Sequence, residues 1–292
     1  ITFIRETKRS YPNGVFASHL LGFANYSMDE KSKEEKLIGQ MGLEKTLNSY
    51  LEGKDGKINY QSDLWGYILP TSKTIVDPPK DGDDVYLTID KKIQTFLEDA
   101  MNGVDEEYHP KKMMGIVANA KTGEILAMAQ RPTFDPNTRE GIEENWQNII
   151  SETAFEPGST MKVFTLAAAV EEGVFNPNEY YKSGSYSVPG GIIRDHNQVG
   201  WGTITFLEGI QRSSNVAVSY LLKKMGEDTF LEYLHNFRFG IPTEIEGLEN
   251  EASGNIVYQY PIEKVSTAFG QATSVTALQL IQAMTAITNN GQ

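Results

Sequence analysis

A chain of 292 residues with 39% hydrophobic and 22% charged residues has an ordinary globular composition, long enough for one large domain with or without a smaller one. Its formal charge of −13, from 26 basic and 39 acidic residues, argues against a nucleic-acid partner, because affinity for phosphates depends on Lys and Arg. The absence of cysteine removes disulfides, thiolate catalysis and Cys-ligated zinc.

The chain opens on ITFIRETKRSYPNG without an initiating Met and closes on TAITNNGQ just after a helix-like run, so both ends read as cuts in a longer protein. No apolar run approaches the ~18–20 residues that span a bilayer, and no signal peptide is visible. Residues 1–85 are punctuated by turn-forming stretches: YPNG (11–14), EGKDG (52–56), LPTSK (69–73) and DPPKDGDD (77–84). Within them Leu43, Leu47 and Leu51 recur at helical spacing, predicting a helix that ends near Gly53. The Pro-Pro and acidic run at 77–84 marks a junction, which divides the chain into 1–85 and 86–292.

DVYLTID (84–90) alternates like a strand. Asp90 then caps a helix, KKIQTFLEDAM, whose apolar Ile93, Phe96, Leu97 and Ala100 are expected on one face. MMGIVANA and EILAMAQ are short apolar runs around Lys121-Thr122-Gly123, the signature of a β-hairpin with Gly123 at a position that needs a positive φ. Pro157 and Gly158 break the chain before a helix from about Ser159 to Glu172, stopped by Gly173. GWGTITFLEGIQRSSNVAVSYLLKKMG holds two helical pieces with Ser213, Ser214 and Asn215 at the step between them. In SVTALQLIQAMTAITNNG, Thr276 and Gln279 stand at capping-box spacing ahead of a last helix.

Ser159 and Lys162 form Ser-x-x-Lys. As a bare string it is weak, and an N-capping serine beside a surface lysine would spell it equally well. The context is stronger. Residues 163–170 read V-F-T-L-A-A-A-V, a helix apolar on every side and so expected to be buried, with Lys162 in its first turn. An unpaired buried ammonium is costly, and desolvation makes the neutral amine available as a base. Three residues apart on a helix, Ser159 and Lys162 share a face: a nucleophile, a base and a helix N-terminus suited to developing negative charge. Ser213-Ser214-Asn215 is a Ser-x-Asn box able to relay protons and hold a substrate amide. A second match, Ser253-Gly254-Asn255, lies in a stretch that reads as loop. His19, His109, His196 and His235 have no ligand spacing, so no metal site is expected. RDHN (194–197) reads as a loop, one that would touch substrate only if it stood near a cleft, and the acidic patches at 81–84 and 105–107 read as solvated surface.

AFEPGSTMKVFTLAAAVEEG, GWGTITFLEGIQRSSNVAVSYLLKKMG and TAFGQATSVTALQLIQAMTAITNNG resemble the transpeptidase domain of class B penicillin-binding proteins. GIVANAKTGEILAMAQRPTFDPN is similar to the hairpin before the nucleophile in that family. RSYPNGVFASHLLGFANY and GQMGLEKTLNSYLEGKDG resemble its N-terminal pedestal. The likeness covers nearly all of the chain, closest to the division-type, penicillin-binding protein 2B-like branch of Gram-positive bacteria. It implies an α+β fold: a pedestal or dimerisation-like region over 1–85, then a transpeptidase domain from 86 with an antiparallel sheet between helix layers. It implies Ser159 as the acylated nucleophile, Lys162 as its base, Ser213 and Asn215 in the second box, and Ser214 in contact with substrate. The family's third box, Lys-Thr-Gly, follows the second, so Lys121-Thr122-Gly123 is a turn and the true box and later strands are expected past Gln292.

The resemblance further implies a peptidoglycan D,D-transpeptidase, working without metal or organic cofactor on stem peptides that end in D-Ala-D-Ala. β-Lactams would acylate the same serine. A membrane anchor upstream of Ile1, an extracellular catalytic domain, and partnership with a SEDS-type glycan polymerase and division proteins in septal wall synthesis are implied too. A serine β-lactamase or β-lactam sensor, and a non-catalytic division scaffold or inactive fragment, are the competing readings.

Overall fold

The computed structural model describes residues 8–29, 33, 35–61, 63–65, 67, 69 and 75–291. Helices and short antiparallel strand pairs are mixed along the chain, the α+β class expected. The chain divides into two compact units: 1–115 with 127–147 and 246–249, and 116–126 with 148–245 and 250–292.

In the first unit, α1 (Ser18–Leu21) leads into β1 (Phe23–Met28), which pairs antiparallel with β2 (Glu35–Met41). The helix predicted to end near Gly53 is two short ones, α2 (Gly42–Thr46) and α3 (Asn48–Leu51), separated at Leu47. β3 (Lys57–Asn59) and β4 (Ile75–Asp77) form a small antiparallel pair. Of the turn stretch 69–73, only residue 69 is among the described residues.

Residues 84–90 form no strand. Alternation makes a strand only where a neighbour takes up the backbone groups. Here Tyr86 is exposed, while Val85 and Leu87 line a pocket with Leu47 and Leu51.

Asp90 caps α4 (Lys91–Tyr108), accepting from the Lys92 and Ile93 N–H groups at 2.9 and 3.0 Å. The helix turns a different face inward from the one predicted. Gln94, Glu98 and Met101 are buried, and Phe96 is 72% exposed. Polar partners decide the rotation. Gln94 exchanges hydrogen bonds with the Met128 backbone at 2.9 and 2.8 Å, and Glu98 meets Arg131 at 2.8 Å. β5 (Met113–Ala118) and β6 (Ile125–Arg131), whose residues 116–126 count with the second unit, pair as the predicted hairpin. Its turn has Gly123 at φ 77°, with Asn119 Oδ1 accepting from the Lys121 N–H at 3.0 Å. Lys121-Thr122-Gly123 is therefore turn chemistry, as expected. A short α5 (Ile142–Asn145) completes the unit.

The second unit holds α6 (Ile149–Glu152), a 3₁₀ turn (Gly158–Thr160) and α7 (Met161–Glu171). It continues with β7 (Tyr180–Lys182), β8 (Ser185–Val188), β9 (Gly191–Arg194) and β10 (Thr203–Thr205). The helices α8 (Phe206–Gln211), α9 (Asn215–Met225), α10 (Glu227–Asn236), α11 (Pro261–Ala268) and α12 (Ala277–Thr288) follow. β7 pairs with β10 and β8 with β9, both antiparallel. α12 starts with the predicted capping box: Thr276 Oγ1 accepts from the Gln279 N–H at 3.1 Å, and Gln279 Oε1 from the Thr276 N–H at 3.0 Å.

α7 and α9 are the centre of this unit. Met161, Phe164 and Ala168 join Val218, Leu222, Phe230 and Phe239 in one apolar cluster. Ala169 joins Val216, Ala217, Leu221 and Phe206 in another. Phe164 packs edge-on to Phe239 with centroids 5.1 Å apart. α7 is not buried on every side as expected: Val163 and Val170 are exposed. Its uniform apolarity hid a polar rim, because the helix buries Lys162 and Thr165 instead.

Candidate active site

The exposed Ser159 sits inside the 3₁₀ turn that opens into α7, rather than capping a helix. A backbone clamp holds this turn from a distant segment. The Gly158 N–H donates to the Gly270 carbonyl at 2.9 Å. Phe155 and Val275 exchange backbone hydrogen bonds, both at 2.9 Å. The Ala272 N–H donates to Glu156 Oε1 at 2.7 Å, and Thr165 Oγ1 to the Ala268 carbonyl at 2.6 Å. Gly270 has φ 81°, and a Cβ there would lie 2.0 Å from the Gly158 carbonyl oxygen. Only glycine permits that approach.

Lys162 lies in the first turn of α7 and is 7% exposed. Its ammonium donates to Ser213 at two points, the backbone carbonyl at 2.5 Å and Oγ at 3.0 Å. Desolvation drives its pKa down from 10.5 to about 8, partly opposed by the negative charge of Asp195. A lysine so placed is neutral in a useful fraction of molecules near pH 8 and can take a proton from a hydroxyl. Here Lys162 donates to Ser213, not to Ser159. Catalytic hydrogen bonds in an unliganded site often close only when substrate is bound.

The step between α8 and α9 supplies the second box. Ser213 has the left-handed φ of 55°, uncommon for a residue with a Cβ, and presents both its oxygens to one ammonium. Asn215 opens α9 and donates through Nδ2 to the Arg194 carbonyl at 2.9 Å. Ser214 is turned the other way. It is fully buried, its hydroxyl donating to Asp195 Oδ1 at 2.7 Å and accepting from the Ala217 N–H at 3.0 Å. Ser214, expected to contact substrate, has its side chain turned inward here as the N-cap of α9. Ser253-Gly254-Asn255 lies outside any helix, bridged to Ser274 through Asn255, and takes no part in this arrangement.

Asp195 is the residue that sequence reasoning passed over. It follows β9 in the stretch expected to be a loop and is 0% exposed. Oδ1 accepts from Ser214 Oγ at 2.7 Å and the Val216 N–H at 3.1 Å; Oδ2 accepts from the Gly184 N–H at 2.7 Å. One signal was available: Asp195 is the sole acidic residue between Glu179 and Glu208. Among the described residues no cluster of His, Asp and Glu could hold a metal ion, and no helix is long and apolar enough to cross a membrane.

An exposed serine, a buried lysine of lowered pKa and a Ser-x-Asn step are the ingredients of acyl transfer. The similarities of the chain agree with this chemistry. Residues 113–292 match the penicillin binding protein transpeptidase domain, and residues 1–87 the penicillin-binding protein dimerisation domain. The chain is 36% identical over 294 residues to the stage V sporulation protein D of Bacillus subtilis, covering 98% of this chain and 44% of that protein. It is 32% identical over 299 residues to a probable peptidoglycan D,D-transpeptidase PenA of Neisseria meningitidis, covering 99% and 48%. The crystal structure of penicillin binding protein 2X from Streptococcus thermophilus superimposes with a TM-score of 0.86 at 41% identity, over 97% of this chain and 42% of that one. The chain thus spans about half the length of the curated relatives it matches. On these matches it belongs to the class B penicillin-binding proteins, with a dimerisation domain followed by a transpeptidase domain.

Proposed function

We propose that this chain carries the acylation machinery of a peptidoglycan D,D-transpeptidase. The observation that carries the reading is Lys162: a buried amine with a pKa near 8, without a carboxylate in direct contact, held on Ser213 one turn from an exposed serine. In this reading neutral Lys162 takes the Ser159 proton as Oγ attacks the penultimate carbonyl of a stem peptide ending in D-Ala-D-Ala. The tetrahedral intermediate collapses, the C–N bond breaks, and the proton passes through Lys162 and Ser213 to the departing D-Ala amine. An amine from a neighbouring stem then attacks the acyl-enzyme, returning Ser159 and forming the cross-link. Asn215 orients the peptide amide at the rim of the site. A β-lactam carbonyl would take the place of the peptide and leave a long-lived ester.

The setting belongs to the same proposal. Residues 1–85 serve as a pedestal and 86–292 as the catalytic portion, in a membrane-anchored protein whose catalytic domain faces the wall. There it works with a SEDS-type glycan polymerase and division proteins at the septum. The relatives named D,D-transpeptidases support the activity.

The test is the intact mass of the chain before and after exposure to benzylpenicillin, with peptide mapping. The expected result is one persistent adduct on Ser159, absent in Ser159→Ala. An adduct elsewhere overturns the assignment of the nucleophile, no adduct overturns acylation by this chain, and rapid hydrolysis of the drug points to a β-lactamase.

A further inference from the structure

Two successive residues, Arg194 and Asp195, grip the three successive residues 214–216 at the second box. Arg194 offers its carbonyl to Asn215 at 2.9 Å, and Asp195 Oδ1 takes Ser214 Oγ at 2.7 Å and the Val216 N–H at 3.1 Å. The other carboxylate oxygen is fixed by the Gly184 N–H at 2.7 Å. Asp195 is therefore saturated from both sides, and its backbone is tied down as well, donating to the Gly184 carbonyl at 3.2 Å. Immediately before the gripped residues stands Ser213, whose left-handed backbone brings its carbonyl and its hydroxyl to the same ammonium. A backbone so strained persists only where its surroundings over-determine it.

We propose that Asp195 is a positioning residue for the reaction centre: its carboxylate locks the turn that presents Ser213 to Lys162 and supplies the negative charge toward which Lys162 is set. It touches neither substrate nor the reacting oxygen in this reading. It acts through Ser214 and Val216 on the position of Ser213, and through space on Lys162. Geometry and charge are separable here. The carboxylate makes no direct hydrogen bond to Lys162, so it stabilises the cation without capturing its proton donors. Asp195 is the charged group whose field opposes the desolvation of Lys162. On its other side the same carboxylate is felt by Tyr181 of β7, whose phenol is buried and pushed up to about 12, first by desolvation and also by Asp195 and Glu208. Tyr181 thus stays neutral across the working range. The inference rests on Lys162 as the base of the proposed acylation.

The experiment uses the full chain with ¹³Cε-labelled lysine, the Lys162 resonance being identified by its loss in Lys162→Arg. Its titration midpoint is followed by NMR in the native chain, in Asp195→Asn and in Ser214→Ala, beside the acylation rate with a fluorescent penicillin. In Asp195→Asn one amide oxygen keeps two of the hydrogen bonds, while the amide nitrogen faces the Gly184 N–H and the charge is gone. The Lys162 midpoint is expected to fall by about one pH unit from its native value near 8. Acylation is expected to drop about tenfold or more, through a displaced Ser213. Ser214→Ala keeps the charge and loosens the turn, so its midpoint should match the native chain while acylation again drops about tenfold. An unmoved midpoint in Asp195→Asn, or full acylation rate in Ser214→Ala, overturns the proposal. If Asp195→Asn does not fold, Ser214→Ala still decides the locking of the turn, the part of the proposal that stands on geometry. If the native chain forms no adduct, the proposed function fails by itself, and the Lys162 midpoints still decide the role of Asp195.

Discussion

Arg131 and Lys162 are both buried cations, 4% and 7% exposed, and they are treated in opposite ways. Arg131, in the first unit, is surrounded by acceptors. Nη2 lies 2.8 Å from Glu98 Oε2 and donates to Asn102 Oδ1 at 2.6 Å, and Nη1 donates to the Gln130 carbonyl at 2.8 Å. Glu98 is held in turn, its Oε1 accepting from the Ala17 N–H at 2.9 Å and Gln94 Nε2 at 2.8 Å. Lys162, in the second unit, has two acceptors on one uncharged residue and a carboxylate only through space. A guanidinium is charged whatever surrounds it, and the full set of partners around this one serves the fold. A buried lysine deprived of an ion pair is left able to lose its proton, which is what an acyl-transfer base needs.

The largest effect expected from this comparison is on function. Lys162→Met should cut acylation by about 10²–10⁴-fold, the range of general-base catalysis, while leaving the melting temperature level or higher because a desolvated charge is removed. Arg131→Met should do the reverse. It leaves Glu98 buried without its counter-ion, at a cost of about 3–5 kcal/mol, with acylation per folded molecule unchanged. Fluorescent-penicillin labelling beside thermal unfolding reads both, and a Lys162→Met protein less stable than Arg131→Met would erase the distinction.

Next in size is Gly270→Ala. A methyl group 2.0 Å from the Gly158 carbonyl, on a residue at φ 81°, forces the clamp apart. The expected cost is about 2–3 kcal/mol in denaturant unfolding, with slower acylation because the turn that carries Ser159 shifts.

The pH dependence sharpens the same contrast. The pKa of Lys162 is lowered in the folded chain, from 10.5 to about 8. Its contribution favours folding most above pH 10.5 and is lost as pH falls toward 8, by about 3 kcal/mol in all, because the unfolded chain then binds the proton more readily. Acylation should follow the neutral amine, rising with pH up to about 8 and levelling above it. A rate flat from pH 6 to 9 would remove Lys162 as the base. Smallest is Thr276→Ala, which deletes the hydroxyl half of the α12 capping box. It should cost about 1 kcal/mol and leave the acylation rate alone.

The parts of this molecule that obey local rules were readable from its residues. Asp90, Gly123 and Thr276 each announce a cap or a turn by chemistry confined to a few positions, and each stands where expected. Ser159 and Lys162 stood out because a lysine at the head of an apolar helix is costly without a purpose, and Ser213 because it stands at a helix start; the fold brings Lys162 onto Ser213. What failed depended on partners far along the chain. The inward face of α4 is set by Gln94 and Glu98 through residues 128 and 131, against the direction of its apolar residues. Residues 84–90 alternate like a strand but join no strand pair among the described residues. Ser214 and Asp195 are spelled like a solvent-facing hydroxyl and a loop carboxylate; only their meeting across 19 residues makes both structural.

The Gly158–Gly270 clamp also bears on the order in which the molecule can assemble. Ser159 and Lys162 are neighbours in sequence, yet the frame that fixes their turn is borrowed from residues more than a hundred positions later, as in the Ala272–Glu156 contact at a separation of 116. Closing a loop of that size is slow, and its entropy is lost before any contact rewards it. The turn that carries Ser159 is thus expected to be among the later features of this unit to mature. A nascent chain that has emerged only as far as the second box already contains Ser159, Lys162, Ser213 and Asn215, but none of the backbone that holds the first of them in place.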